Sequence, residues 1–284
     1  MPELLVMSRW IEQSAFVAAL GVECTEATTE VARLRLPYRE ANANPGGALH
    51  GGCAASLGLV GGHVIASAAL GPESGPFVTV SSHVAYLAAA IDEEVVAATV
   101  LTRKGKELCF AETSVQTLAG KPISRISTVV AGRAGKPPTP RPPASGDTGE
   151  REPGPMGPFV STLPFVAARG ISVEHMARGR SRLEMPLGEG NAESDGGFHE
   201  GAVLALLDTT GAMAAWAETG PGPYKASTAA IQAQMLGPAQ AEQLVGYGRV
   251  VHRDNEVFWC DVEVADRRTG GLQARGTVVY RIVI

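Results

Sequence analysis

The sequence predicts an α+β protein built from two copies of one domain in tandem. Each copy is expected to be a long helix wrapped by an antiparallel sheet, and the two copies to pair like the halves of a dimer. Three observations predict this. First, Phe16-Val17-Ala18-Ala19-Leu20-Gly21 returns as Phe165-Val166-Ala167-Ala168-Arg169-Gly170, an offset of 149. The same offset carries Leu34 and Pro37 onto Leu183 and Pro186, His50 onto His199, Gly52 onto Gly201, Thr79 onto Thr228, Leu87 onto Leu236 and Glu107 onto Glu256. After a one-residue slip, Gly120 and Arg125 match Gly270 and Arg275. A register held for about a hundred residues marks a duplicated domain. Second, the 28 residues 131–158 contain eight Pro and six Gly, with Met156 the only large apolar side chain. Such a stretch cannot offset the entropy of ordering and reads as a flexible tether. Extended at about 3.1 Å per residue, it would let the copies pair in either orientation. Third, each copy carries one long small-residue helical segment followed by strand-like segments. The expected organisation is a first domain over 1–130, the tether over 131–158 and a second domain over 159–284.

Each element has a local reason. Residues 8–20 read as an amphipathic helix ended by Gly21, a C-terminal cap. Residues 22–28 and 31–37 alternate as a hairpin. A Pro/Gly loop over 42–47 leads into an Ala-rich helix over 50–70, and four strands follow at 77–89, 94–102, 107–117 and 122–130. The stretch 51–71 has no formal charge and is long enough to span a bilayer. It is mostly Gly and Ala, however, and its counterpart in the second copy carries Asp208 and Glu218, so a helix cradled by a sheet is the better reading. Gly58, Gly61 and Gly62 suit a helix whose backbone approaches that sheet closely. One long helix in an antiparallel sheet of about five strands is the hotdog architecture.

Composition limits the function classes. The 284 residues carry a formal charge of −5, and only 19% are charged, below the roughly 25% of an average soluble protein. No basic footprint for nucleic acid and no basic membrane-surface helix is present, so neither partner is expected. With 45% apolar residues, wholesale disorder is excluded. Cys24, Cys53, Cys109 and Cys260 form no C-x-x-C pair, and the six scattered histidines show no metal-ligand spacing. A reduced, cytoplasmic setting is expected. Glu3, Arg9 and Glu12 interrupt the N-terminal apolar stretch, against a signal-peptide core.

The chemistry concentrates at Asn44-Pro45-Gly46-Gly47-Ala48-Leu49-His50-Gly51-Gly52. These residues resemble the Asn-x5-His-Gly-Gly signature of the PaaI-like acyl-CoA thioesterases of the hotdog superfamily. The resemblance extends to Thr79 and Thr228 on the following strands and to Gly120-Lys121-Pro122-Ile123 at the closing hairpin. It implies a site between two domains. An Asn side chain and the N–H of the Gly after His would grip the thioester carbonyl at a helix N-terminus, and an acid nine residues after the His would act from the facing domain with a Ser or Thr. The physics agrees: a helix N-terminus offers unpaired N–H donors to a developing oxyanion. Asp208 lies about two helical turns after Gly201, on the same helix face. A carboxylate there can take a proton from water or attack as a nucleophile.

Carried over residue by residue, the pattern is asymmetric. The first copy has Asn44, His50 and Gly51, but Leu59 stands at the acid position. The second has Asp208, but Glu193 replaces the Asn and Glu200 the Gly after His. Across a pseudo-twofold axis, Asn44, His50 and Gly51 with Asp208 and Thr228 make one complete site. Glu193, His199 and Glu200 facing Leu59 and Thr79 make a dead one.

The expected activity is hydrolysis of an acyl-CoA to a carboxylic acid and coenzyme A, with no metal or redox cofactor. His50 is read as a carbonyl-site residue or a cap that orders the loop. Arg103, Lys104 and Lys106 form a basic turn that either meets the coenzyme A phosphates or is a solvated hairpin tip. Cys53 is expected to be buried packing rather than a nucleophile. Met235, Phe258 and Trp259 are expected in the core or a tunnel wall. Asp208 and Thr228 have bland readings too, as a satisfied helix residue and a strand former. A hotdog hydratase fits poorly, since its Asp-x-Asn-Pro-x-His pattern meets Asn42 and Gly47 here. A non-catalytic acyl-CoA-binding module stays open through Glu193 and Glu200. A dimer of the chain is expected, because hotdog pairs often associate further.

Overall fold

The computed structural model describes residues 10–137, 139–146 and 149–284. The first half runs α1 (Ala15–Leu20), β1 (Glu23–Ala27), β2 (Val31–Leu36), α2 (Gly51–Leu70), β3 (Phe77–Tyr86), β4 (Val95–Lys104), β5 (Leu108–Thr117) and β6 (Pro122–Gly132). The second half has α3 (Gly157–Val160), α4 (Pro164–Ala168), β7 (Ser172–Ala177), β8 (Arg180–Pro186), α5 (Glu200–Thr219), β9 (Lys225–Met235), β10 (Gln243–Asp254), β11 (Val257–Asp266) and β12 (Leu272–Val283). The helix predicted over 8–20 is broken at Ser14, and its first two residues lie outside the described residues. Gly21 closes α1 in the left-handed region at φ 83°, its N–H meeting the carbonyls of Val17 and Ala18.

The twelve strands form one antiparallel sheet in the order β1-β2-β4-β5-β6-β3-β9-β12-β11-β10-β8-β7. Each half contributes six, and the halves join at β3 and β9, where Ser82 faces Ala233 and Val84 faces Ile231. These two pairs are exchanged by the sequence offset, so the repeat in the sequence is a pseudo-twofold axis in space. Each half is a hotdog domain, and the chain is a double hotdog.

The long helices fill the two concave faces. In α2 the side chains of Leu57, Leu59, Val60, Val64 and Ile65 are buried, and each such burial contributes about 1.5–3 kcal/mol. The helix is apolar and long enough to cross a membrane by composition alone, yet its apolar surface is consumed by β3 to β6 and by α5. Close approach explains its glycines: a Cβ on Gly58 would stand 2.5 Å from Ile126, and one on Gly61 would collide with Thr99.

The pairing of the halves is written in matched contacts. A Cβ on Gly52 would meet Ala205, and one on Gly201 would meet Ser56, the same contact from each side of the axis. Phe165 stacks on His50 at 3.9 Å between ring centroids, and Phe16 stacks on His199 at 4.6 Å. The Phe16 N–H donates to the Ala192 carbonyl and the Phe165 N–H to that of Ala43.

The segment 131–158 departs from the free tether expected of its composition. Of its described residues, Gly132, Arg133 and Ala134 stay on the first half, donating to the carbonyls of Glu107, Pro76 and Ser74, while later ones meet the second half: Ala144 N–H donates to Gly270, Leu272 N–H to Pro142, and Ser145 N–H to the Glu263 carboxylate. Farther on, the Glu152 N–H donates to the Glu174 carbonyl and the Glu152 carbonyl accepts the Met176 N–H, a parallel bridge to β7. Proline denies the segment a helix or an interior strand, but it does not prevent edge pairing through its carbonyls.

Candidate active site

The start of α2 is prepared by His50. This residue is extended at φ −63° and ψ 137°, and its Nδ1 accepts the Gly52 N–H at 2.9 Å. Burial, with the Arg169 charge second, pushes its pKa down to about 3. It is therefore a neutral imidazole whose acceptor nitrogen caps the helix, clamped by Phe165 from the other half. Cys53 N–H donates back to the His50 carbonyl. The Gly51 N–H has no acceptor among the described residues, and it stands at the positive end of a twenty-residue helix.

Asp208 reaches this point from α5. It is 4% exposed, and its Oδ1 accepts the Thr228 hydroxyl from β9 at 2.7 Å. Oδ2 lies 2.8 Å from where a Cβ on Gly51 would be, so only glycine leaves the space between acid and helix end open. Burial pushes the Asp208 pKa up to about 6, against the opposing Thr228 bond. The acid is poised near neutrality, as a proton-accepting group requires.

Asn44 sits half-buried in the loop before α2, closed by its own N–H to the Ala48 carbonyl at 2.7 Å. Glu193 occupies the matching place in the second half, with its N–H on the Gly197 carbonyl and its carboxylate 3.5 Å from His199 Nε2. The loops share one backbone form. The structure thus brings Gly51, His50, Asp208 and Thr228 to one place, and Asn44 stands in the loop that leads to His50.

Tyr86, at the end of β3, belongs to this site. Its hydroxyl donates to the Gly51 carbonyl at 2.9 Å, and burial, then the Asp208 charge, raises its pKa well above the ordinary value. Farther along α5, Trp216 stacks near Tyr224 at 6.2 Å, and its Nε1 donates to the Tyr280 hydroxyl. Another missed pair, Asn42 and Asn191, ties each loop to α1 and α4 through bonds to the carbonyls of Leu20 and Arg169. The offset of 149 relates them and was the signal that could have found them.

Two candidates do not join the site. Arg103, Lys104 and Lys106 are exposed around the β4–β5 turn, at the end of the sheet where Phe77 opens β3. Tyr86 is at the other end of that strand, about 30 Å away at ~3.3 Å per residue. Cys53 is fully buried, its Sγ lies 3.6 Å from the Asn42 carbonyl, and burial pushes its thiol up to about 12, so it is not a nucleophile. Met235 and Phe258 are core residues, and Trp259 packs beside His252. Among the described residues, no three His, Cys, Asp or Glu side chains are grouped to hold a metal ion.

The second junction has different chemistry. The Glu200 carboxylate accepts the Thr79 N–H at 2.9 Å and lies 3.0 Å from His63 Nε2, which also contacts the Thr79 hydroxyl at 3.2 Å. Leu59 is buried there in place of the acid.

Comparison with known proteins agrees with this fold. Residues 195–271, which include Asp208 and Thr228, match the model of the thioesterase superfamily. A candidate esterase of Halobacterium salinarum is 33% identical over 132 residues, which span 45% of this chain and 87% of that protein. Among solved structures, a hotdog protein of unknown function from Alicyclobacillus acidocaldarius superposes with a TM-score of 0.65 at 17% identity, covering 95% of this chain and 98% of its own. Acyl-CoA thioesterase II of Mycobacterium marinum gives a TM-score of 0.65 at 13% identity, over 96% of this chain and 98% of that one. At such identities the structural likeness speaks for the fold. The relative from Halobacterium and the matched domain together carry the family assignment: the chain belongs to the thioesterase superfamily.

Proposed function

We propose that the protein is a PaaI-like acyl-CoA thioesterase with one composite active site, formed by the start of α2 and the middle of α5. The observation that carries this reading is Asp208 Oδ2 lying 2.8 Å from the Cβ position of Gly51, the first residue of α2, across the junction of the two halves. The thioester carbonyl enters the gap with its oxygen on the Gly51 N–H and the Asn44 carboxamide. Charge developing on that oxygen is stabilised by donors already in place. Asp208 Oδ2 then takes a proton from a water whose oxygen adds to the carbonyl carbon, the C–S bond breaks, and the proton passes to the departing sulfur to release the thiol and the carboxylic acid. In the alternative, Oδ2 itself adds to the carbon, coenzyme A leaves as a thiolate that is protonated by solvent, and water then cleaves the mixed anhydride to free the acid and the Asp208 carboxylate. Thr228 holds the acid through Oδ1 and keeps a lone pair free to orient water. His50 stays neutral and shapes the helix end.

The test is free-thiol release from aromatic, short-chain and medium-chain acyl-CoAs, by wild type beside Asp208→Asn and Leu59→Asp. Turnover that collapses in Asp208→Asn and is unmoved by Leu59→Asp supports one composite site. Acyl-CoA binding with no turnover by wild type would replace this reading with a binding module, and hydration of crotonyl-CoA would replace it with a hydratase.

A further inference from the structure

The second junction is hollow. A partly open cavity of about 440 Å³ is lined there by Trp10, Leu59, Phe77 and Phe198, with Glu193 and Glu200. The sequence offset explains why it is open. Ser67 lines it where α5 has Trp216, and Gly75 where the loop before β9 has Tyr224. In the other half those two rings stand face to face at 6.2 Å between centroids. The volume falls within the range of small-molecule pockets.

Its polar end rejects the ligand of the other site. Glu200 stands where Gly51 presents its free N–H, and the Thr79 N–H is already taken by that carboxylate. Glu193 replaces the Asn44 amide, so a thioester oxygen would meet acceptors instead of donors. Among the described residues the lining contains Glu193, Asp195 and Glu200 but no Lys or Arg. His63 offsets one charge through its ion pair with Glu200, and the buried neutral His199 offsets none. A net negative end therefore closes an apolar chamber. Glu200 Oε2 already meets His63 and the Thr79 N–H, and Glu193 accepts the Ser14 hydroxyl and the Ser194 N–H, which leaves lone pairs on Glu200 Oε1 and on the Glu193 oxygens for a further donor. Trp10, whose ring lies 6.1 Å from that of His63, adds an aromatic face that attracts a cation.

We propose that this cavity is a second, non-hydrolytic binding site for a small apolar molecule bearing a primary ammonium group, an alkyl- or arylalkylamine. The ammonium lies between Glu193 and Glu200, and the apolar part fills the space beside Leu59, Phe77 and Ser67. The inference does not depend on the activity of the composite site.

The experiment is isothermal titration of the full chain with 2-phenylethylamine and, separately, with 3-phenylpropionate as a carboxylate of similar size. The expected result is one amine per chain with a submillimolar Kd, at least tenfold tighter than the acid. Ser67→Trp, which supplies the ring that fills the other junction, should abolish binding. The isosteric Glu193→Gln and Glu200→Gln should each weaken it at least fivefold, and they decide the question if Ser67→Trp does not fold. Asp208→Asn should leave it unchanged. Amine binding no tighter than acid binding, indifference to both Gln substitutions, or loss of binding in Asp208→Asn would overturn the proposal.

Discussion

The two junctions between α2 and α5 share one backbone and one pseudo-twofold axis, yet they do opposite things with charge. At the first, the Asp208 carboxylate lies buried against the first residue of α2, where only the missing side chain of Gly51 leaves room. At the second, the corresponding residue is Glu200, whose carboxylate takes the Thr79 N–H and pairs with His63. The helix-capping histidines are alike in both, each buried and held near pKa 3. The difference teaches that the fold supplies the helix end and its cap twice, while three exchanges decide where chemistry can occur: Gly51 against Glu200, Asn44 against Glu193 and Asp208 against Leu59.

The largest effect should come from removing the acid. Asp208→Asn is expected to lower thiol release by about 10²–10⁴, the usual contribution of a positioned base. Leu59→Asp, which adds the acid to the other junction, should restore nothing, because Glu200 still fills the carbonyl site. Activity rescued by Leu59→Asp in the Asp208→Asn background would break the comparison.

Next in size is Gly51→Ala, with an expected loss on the order of 10² in kcat/KM, the cost of a misplacement of about 1 Å. The added methyl would press on Asp208 Oδ2 at 2.8 Å and on the Tyr86 hydroxyl at 3.2 Å. Thermal unfolding should change little, since Gly51 already lies in a helix. The mirror substitution, Glu200→Gly, should leave turnover unchanged in the same assay.

The third prediction concerns pH. Asp208 works as the carboxylate, so kcat should rise about tenfold per pH unit below about 6 and then level off. The Thr228 hydrogen bond lowers that pKa, so Thr228→Val should move the limb to higher pH and reduce the plateau severalfold. Stability runs the other way. The folded chain holds this proton with a pKa of about 6 against the ordinary 3.8. The stability contributed is complete below about pH 4 and is lost as pH rises through about 6. At neutral pH, Asp208→Asn should therefore be more stable than wild type by on the order of 3 kcal/mol, and the two should converge in acid. Denaturant titrations at both pH values would show a constant difference if the buried charge is not its source.

The smallest expected effect is that of Tyr86→Phe. The hydroxyl bonds the Gly51 carbonyl rather than the acid, so kcat should fall only severalfold. A fall as large as that of Asp208→Asn would move Tyr86 into the chemistry itself.

The sequence by itself determined the duplication, the order of the elements and the complementary substitutions in the two copies. Each of these is a matter of residue type and spacing: turn residues punctuate strands, small residues mark a helix that must approach a sheet, and an offset of 149 aligns Asp208 with Leu59. The pairing of Asp208 with Gly51 was legible as a consequence of symmetry, because two copies of one interface face each other in only a few ways.

Only the tertiary structure decided what depends on distance and enclosure. The acid oxygen at Gly51, the neutral state of His50 and the inertness of Cys53 follow from burial by residues far away in the chain, Phe165 among them. The basic turn at Arg103, Lys104 and Lys106 looked suited to phosphates, but strand direction places it about 30 Å from Tyr86 at ~3.3 Å per residue. The proline-rich segment shows the same limit: its composition forbids regular structure, but not anchoring by bonds to the edge at Gly270 and to Glu263. Composition fixes what a segment can pay for alone, while its neighbours in space decide what it is given to bind.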